Sequence, residues 1–467
     1  MDKYSCLAID MGAGSIRIVQ GIFDEKLTLH EVYRFDNKIE YRNGHDRWDI
    51  QKITDGIKFG ISKALRESEV KISSIGIDSW GVDFVLVGKD GKPVEDPVSY
   101  RDSRTEGMKE LWEQYMSQFE TFRLTGINYN IFNTLYQLLS LKDSIQLKAT
   151  EKILFMASYI GYVLTGKAVN ELTLAATSQM LDCKNMKWDP DILDFPGLMH
   201  KFPGQPVKTG FSLGYYNSGA DYNPEVITVA GHDTASAVAA IPFESENCAF
   251  ISTGTWCIMG VLSDKAFTNR ESFEAGITNE ITASGKFRPS KNLMGFWLLQ
   301  QLRVSFGSKN TFAEIEGMAS GAVLQDITID TADPLFYNPE CMKKAFDEYL
   351  QRKYNLKPAT EGEYYRCAYD SLVVSFHANL QQFESFNGKP FDCIHITGGG
   401  SQSELLCSLL AAKAKTTIIA GPVEGAAAGN ILVQARAMGF LSSDSEIKSI
   451  IKKSFDVKVY KPENDAY

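Results

Sequence analysis

Apolar and polar positions along this chain follow two periods. Short apolar, β-branched runs bounded by glycine-bearing turns alternate with stretches whose apolar residues recur every third or fourth position, the patterns of strands and of amphipathic helices. The opening reads as strand, turn, strand, strand. Cys6-Leu7-Ala8-Ile9 is apolar, Asp10-Met11-Gly12-Ala13-Gly14-Ser15 is a polar turn, Ile16 to Phe23 is a second strand and Leu27 to Phe35 a third. Ile53, Ile57, Ile61 and Leu65 stand four apart and predict a helix with one buried face. Strands follow at Ile75-Gly76-Ile77-Asp78 and from Val82 to Val87, and helices are predicted near 106–119, 133–143 and 150–164.

A second opening of the same kind begins at Cys248. Ala249-Phe250-Ile251 leads into Ser252-Thr253-Gly254-Thr255, and Trp256 to Val261 leads out. The repeat suggests a weak internal duplication, with a boundary near 241–246 and domains of residues 1–243 and 244–467. Two further strand–turn–helix units close the chain. One is Ile394-His395-Ile396 entering Gly398-Gly399-Gly400, and the other is Thr417 to Ala420 entering Gly421-Pro422 and an alanine-rich helix near 424–437. This alternation predicts an α/β class, as two lobes with a cleft between them.

Composition narrows the function. The 467 residues are 44% hydrophobic and 23% charged, as in globular proteins that build their cores without disulfide or metal staples. The net charge of −10 and the lack of a Lys/Arg block speak against nucleic acid as a partner. Any anion site must therefore be local, made from backbone N–H groups and a few cations. The eight cysteines show no C-x-x-C spacing and read as buried reduced thiols. No apolar run is long enough for a signal sequence or a membrane span, so the expected location is the cytoplasm.

Five segments carry candidate chemistry. The turn Asp10–Arg17 offers N–H groups, a hydroxyl and a cation to a phosphate, with Asp10 placed to hold a metal-bound water; it serves equally well as a plain hairpin turn. Ser252–Thr255 is its counterpart. Gly398-Gly399-Gly400-Ser401, between strand and helix, permits close backbone approach by a ligand, or is simply a tight turn. In Gly231-His232-Asp233-Thr234, Asp233 follows a strand and precedes a helix of small residues, where a carboxylate acts as a general base or as a helix cap. Ile77–Asp83, with Asn292 and Gln300 flanking Gly295-Phe296-Trp297, offers amides, carboxylates and aromatic faces suited to a sugar, or to a core. Walker, Rossmann and protein-kinase motifs are missing from the sequence.

Taken together and in order, these segments resemble the FGGY carbohydrate kinases of the actin-like ATPase superfamily. The match runs through Ser74–Leu86, Tyr100–Thr105, Phe132–Leu138, His232–Val238, Gly254-Thr255-Trp256, Asn292–Gln300 and Ile419–Glu424, nearly the whole chain. The tryptophan loop, the Tyr136-Gln137 segment and the Asn292–Gln300 stretch resemble most closely the members that act on L-rhamnulose. The resemblance implies two actin-like (ribonuclease H-like) α/β ATPase domains flanking a catalytic cleft, with ATP and Mg²⁺ as cofactors and a small ketose phosphorylated at O1. Carried over by position, Ala13, Gly14, Ser15, Ile16 and Arg17 would line the ATP phosphates. Thr255 and Gln300 would contact the nucleotide, and Gly400 the adenosine. Gly81, His232, Asp233, Thr234 and Asn292 would hold the sugar, with Asp233 as base and Asp10 toward the metal. Ile16 departs from the small residues often found in that turn: if its backbone makes the contact nothing changes, and if a hydroxyl is needed there nucleotide affinity drops. A kinase for L-fuculose or L-xylulose, or a non-catalytic sugar or nucleotide sensor on the same fold, are the alternatives. The sequence leaves monomer and homodimer equally open.

Overall fold

The three opening runs form antiparallel neighbours, Tyr4–Met11, Ser15–Phe23 and Leu27–Asp36, in the computed structural model, which describes residues 3–219, 222–322 and 327–462. They belong to a six-stranded sheet whose spatial order is Ser212–Tyr215, Glu225–His232, Ile72–Ser79, Tyr4–Met11, Ser15–Phe23 and Leu27–Asp36. Glu225–His232 and Tyr4–Met11 both run parallel to the strand between them, Ile72–Ser79, so three C-terminal ends come to one edge. In parallel α/β sheets that edge is where ligands bind.

The helix Ile50–Glu67 starts at Asp49, whose side chain accepts from Lys52 N, and buries Ile53, Ile57 and Ile61. A second helix, Gly425–Ala437, lies on strands of the same sheet through polar contacts. Gln434 Nε2 donates to Leu7 O at 2.9 Å, and Ser74 Oγ donates to Gln434 Oε1 at 2.8 Å. Its approach to the helix Asp233–Ala239 depends on glycine, since a Cβ at Gly429 would stand 1.7 Å from Ser236 O. This is why the alanine-rich helix near the chain's end folds with its beginning.

By compactness the chain forms two units. The first holds residues up to Pro242, Ser263–Pro289 and Glu424–Ser454; the second holds Phe243–Leu262, Ser290–Val423 and the chain from Phe455. The main crossing at Pro242 lies inside the 241–246 window, but residues 263–289 and 424–454 return to the first unit instead of following a single split at 243/244.

In the second unit the strands run in the order Phe287–Met294, Trp256–Val261, Cys248–Thr253, Cys393–Gly398, Thr417–Ala420 and Lys458–Tyr460. Cys248–Thr253 and Cys393–Gly398 are parallel and paired residue for residue, from Cys248↔Cys393 to Thr253↔Gly398.

Local structure departs from the sequence expectation in two places. Residues 150–164 are a strand, Thr150–Phe155, followed by a helix, Met156–Thr165. The strand pairs antiparallel with Phe84–Gly88 and buries Ile153, Leu154 and Phe155, a tertiary gain that local propensity does not register. Near 106–119, Gly107 sits at φ 78° and Ser117 caps a new helix, so the segment becomes the short helix Met108–Glu113 and then Gln118–Thr125. Among the described residues no helix is long and apolar enough to cross a membrane.

Candidate active site

Three carboxylates gather at the C-terminal edge of the first unit's parallel strands. Asp10 and Asp78 are register partners on neighbouring strands, and Asp233 opens the helix that follows the third. Asp10 is buried and pairs with Arg17, whose Nε donates to Oδ2 at 3.1 Å and whose Nη2 falls on the same oxygen. Arg17 Nη1 also donates to Glu424 Oε2 at 2.8 Å. Burial raises Asp10 above the ordinary carboxylate value, and Arg17 only partly offsets this. Asp78 is pushed well above that range, first by complete burial and then by the charge of Asp10. One of its oxygens takes the Asn430 amide; the other, Oδ1, is buried without a partner.

Asp233 is different. Its side chain is 32% exposed, its Oδ1 accepts from Thr234 Oγ1 at 3.0 Å, and its one ion-pair neighbour among the described residues is His232, at 3.4 Å. The backbone before Asp233 is fixed by the buried carboxylate of Glu171, which accepts from Gly231 N at 3.0 Å and Thr173 N at 2.8 Å. Thr173 Oγ1 in turn accepts from His232 N at 3.1 Å.

His232 stands in a chain of charges. Nδ1 lies 2.9 Å from Glu280 Oε2, and Glu280 also pairs with the fully buried Arg288. Burial would push Glu280 up, but Arg288 and His232 outweigh it and hold the carboxyl near 2. Burial would push His232 down, and the Glu280 charge beside it raises it instead. The structure thus sets beside Asp233 an imidazole whose protonated form Glu280 favours. Gly81 belongs to this group, since a Cβ there would meet Thr177 Oγ1 at 3.2 Å and His232 Nε2 at 3.3 Å. The next residue, Val82, is held at φ 66°, a costly conformation for a β-branched side chain. Thr177 Oγ1 accepts its N–H at 3.2 Å, and its carbonyl accepts from Thr134 Oγ1 at 2.7 Å. Such over-determined strain is typical of binding loops.

The first turn is tied from behind. Asn37 donates to Gly12 O at 3.0 Å through its side chain and to Gly14 O at 3.1 Å through its main chain. Ala13 is partly exposed, Gly14 is exposed with open space around it, and Ser15 Oγ accepts from Arg34. Ile16 is fully buried, so its side chain serves the core and only its backbone can meet a ligand.

In the second unit the corresponding turn is locked to the glycine triplet. Thr253 Oγ1 donates to Thr397 O and accepts from Gly400 N at 2.8 Å. Gly398 has φ 77°, and a Cβ on it would stand 2.2 Å from Thr253 O. Gly400 is packed against Phe296 and Thr253 with its N–H already used, whereas Gly399 is exposed and open. The open position of the triplet is thus Gly399, not Gly400. Thr255 Oγ1 donates to Gln300 Oε1 at 3.2 Å, bringing that expected pair together. Gly295 allows the turn to sit on the helix Trp297–Ser305, because a Cβ there would stand 2.7 Å from Gly254 O. Asn292 is exposed on its strand.

Two residues of the tryptophan loop turn inward. Asp83 is completely buried and accepts from Trp48 Nε1 at 2.7 Å, Trp80 Nε1 at 2.9 Å, Gln137 Nε2 at 3.2 Å and Tyr100 N at 3.2 Å. Trp80 and Asp83 are therefore core, and of that loop Gly81 faces His232. Sequence reasoning missed Glu171, Thr177, Glu280 and Arg288. Each is far in sequence from Asp233 and lies in no motif.

The model described as the FGGY family of carbohydrate kinases, N-terminal domain, matches residues 5–239, and that of the C-terminal domain matches 249–438. A rhamnulokinase of Halalkalibacterium halodurans is 36% identical over 461 residues, covering 97% of this chain and 98% of that one. A rhamnulokinase of Ligilactobacillus salivarius is 37% identical over 468 residues, covering 99% and 96%. Among solved structures, a gluconate kinase from Lactobacillus acidophilus has a TM-score of 0.80 at 16% identity, covering 99% of this chain and 94% of its own. The Plasmodium falciparum glycerol kinase with ADP has a TM-score of 0.82 at 14% identity, covering 99% and 95%. At such identities these two speak for the fold alone, an α/β architecture of two actin-like units. With both family domains matched and full-length relatives above 30% identity, the chain belongs to the FGGY family of carbohydrate kinases, and is an enzyme of that class.

Proposed function

We propose that this kinase transfers the γ-phosphate of ATP to O1 of L-rhamnulose, with Asp233 as the general base. The substrate follows the names of relatives aligned over nearly the whole chain. The observation that carries the mechanism is Asp233 itself, a partly exposed carboxylate at a strand end that no lysine or arginine neutralises among the described residues.

Phosphoryl transfer depends on in-line geometry and on spreading charge, with little covalent work for the protein. Asp233 orients the O1 hydroxyl and takes its proton as the O1–phosphorus bond forms and the bond to the ADP oxygen breaks. His232, held by Glu280, offers a donor to a sugar hydroxyl, as does Thr234. Gly81 lets the loop come close to Thr177 and His232. The open turn Ala13-Gly14-Ser15, the Ile16 backbone and Arg17 are assigned to phosphate. In the second unit, Thr255, Gln300 and the open Gly399 form the proposed nucleotide-binding element.

The acidic cluster fits a hard divalent cation such as Mg²⁺. Asp78 Oδ1 is a buried oxygen without a partner, and both Arg17 contacts to Asp10 fall on Oδ2, leaving Oδ1. Asp10, with Asp78 and Asp233, would hold it, directly or through water. When bound it would neutralise charge on the phosphates.

The test is a coupled ADP-release assay with L-rhamnulose, L-fuculose, L-xylulose, D-xylulose and D-fructose. Preference for L-rhamnulose is expected. Asp233→Ala should lower kcat by about 10²–10⁴, the usual worth of general-base catalysis, with ADP affinity unchanged. Near-normal turnover in that variant would refute the base, and preference for another ketose would refute the substrate.

A further inference from the structure

At the opposite end of the second unit's two central strands from the turns lies one group of thiols and imidazole. Cys248 and Cys393 are register partners on parallel strands, and His395 is two residues along from Cys393. Their ligand atoms lie within 4.8 Å of one another. The two sulfurs are 2.8 Å apart, and Cys393 Sγ is 3.6 Å from His395 Nε2. The sulfurs are thus in direct contact. The Cα atoms are set by strand spacing, about 4.7–4.9 Å, which falls in the range a disulfide spans, about 4.4–6.8 Å.

We propose that Cys248 and Cys393 are a redox pair that closes to a disulfide across the two strands when the protein meets a peroxide. Either sulfur can donate in their contact, which holds the Cys248 thiol down and, with burial, pushes Cys393 up. Cys393 lies beside His395 Nε2 at 3.6 Å and is the resolving sulfur, so Cys248 is the attacking one. As thiolate it displaces one oxygen of the peroxide, which leaves as water or an alcohol after taking a proton, and Cys248 becomes a sulfenic acid. Cys393 gives its proton to His395 Nε2 and attacks that sulfur. The hydroxide leaves as water with the proton from His395, and the S–S bond forms. Two thiols are oxidised and one peroxide is reduced.

A metal site is the other chemistry such residues offer, and two observations weigh against it. Two thiolates sharing a tetrahedral zinc at about 2.3 Å each stand about 3.7 Å apart, further than these sulfurs. A ligating histidine normally has its second nitrogen hydrogen-bonded, whereas His395 Nδ1 is buried without a partner. Phe243 packs against the pair, and Ser245 Oγ is 3.4 Å from Cys248 Sγ and donates to the exposed Asp392. A small oxidant would enter along this polar contact.

The test counts thiols after unfolding, in a Cys341→Ser background that removes the one cysteine not fully buried. Of the seven thiols left from the eight in the chain, five should remain after peroxide treatment of the native protein. Peptide mapping should join the peptides of Cys248 and Cys393, and dithiothreitol should restore seven. Adding Cys248→Ser should abolish the linked peptide, and His395→Gln should slow its formation at equal peroxide. Seven thiols after treatment, a linkage through another cysteine, or stoichiometric zinc in the purified protein that blocks the loss would each overturn the proposal.

Discussion

Glu280→Gln tests whether the charges behind His232 act as one unit. The substitution keeps size and hydrogen-bonding atoms but removes the charge shared by His232, 2.9 Å away, and the completely buried Arg288. Arg288 already has Nε and Nη1 without partners, so losing its carboxylate leaves a buried guanidinium uncompensated. Breaking a buried pair from one side costs about 3–5 kcal/mol. His232 should also fall, because Asp233 is then the main charge left to oppose burial. The sign with pH follows from its raised value in the folded state. The stabilisation from charged His232 is fully present below the unfolded value of about 6.5 and is lost as pH rises through the folded value. The gap in unfolding free energy between the native protein and Glu280→Gln should therefore be larger at pH 6 than at pH 9, where the Arg288 part persists. The assay is chemical denaturation at both pH values, with an NMR titration of the His232 ring in each protein. An equal gap at both pH values together with an unmoved His232 titration would refute the coupling.

Gly398→Ala should cost at least about 1–3 kcal/mol for an alanine at positive φ, and more because its Cβ would stand 2.2 Å from Thr253 O. Calorimetric melting and ADP binding should both fall, and wild-type values for both would show that the strands part freely there. Asp83→Ala strips the acceptor from two buried indoles and from the part-buried Tyr100 N–H, while Gln137 keeps Phe132 O. At about 1 kcal/mol or more for each of the three, the loss should reach at least about 3 kcal/mol in denaturant titration. A change under about 1 kcal/mol would mean that water reaches the site.

Legibility in the sequence followed the range of the forces. The two strand–turn–strand openings were readable because apolar alternation and glycine turns are local, and both carry into the structure as paired strands. Thr150–Phe155 was not, because its strand character comes from pairing with Phe84–Gly88 rather than from its own residues. The candidate site was readable where polar groups sit in a compact motif, as with His232, Asp233 and Thr234, which the structure holds in contact. Glu280 and Arg288 bear on His232 only because two strands bring them there, and no spacing announces that. The tryptophan loop was ambiguous for a physical reason: an indole and a carboxylate suit a sugar or a core equally well, and burial decides.

The chain's path has a consequence for synthesis. When the first 242 residues have left the ribosome, the strands that carry Asp10, Asp78 and Asp233 are complete, but Gly425–Ala437 is still unmade. Until then Ser74 and the Leu7 carbonyl lack Gln434, and Asp78 lacks Asn430. A nascent chain therefore carries the acidic edge before it can close the sheet beneath it, and the fold is completed only when its last helices emerge. A fragment cut at residue 243 would remain at that unfinished stage, with buried acids and amides open to water.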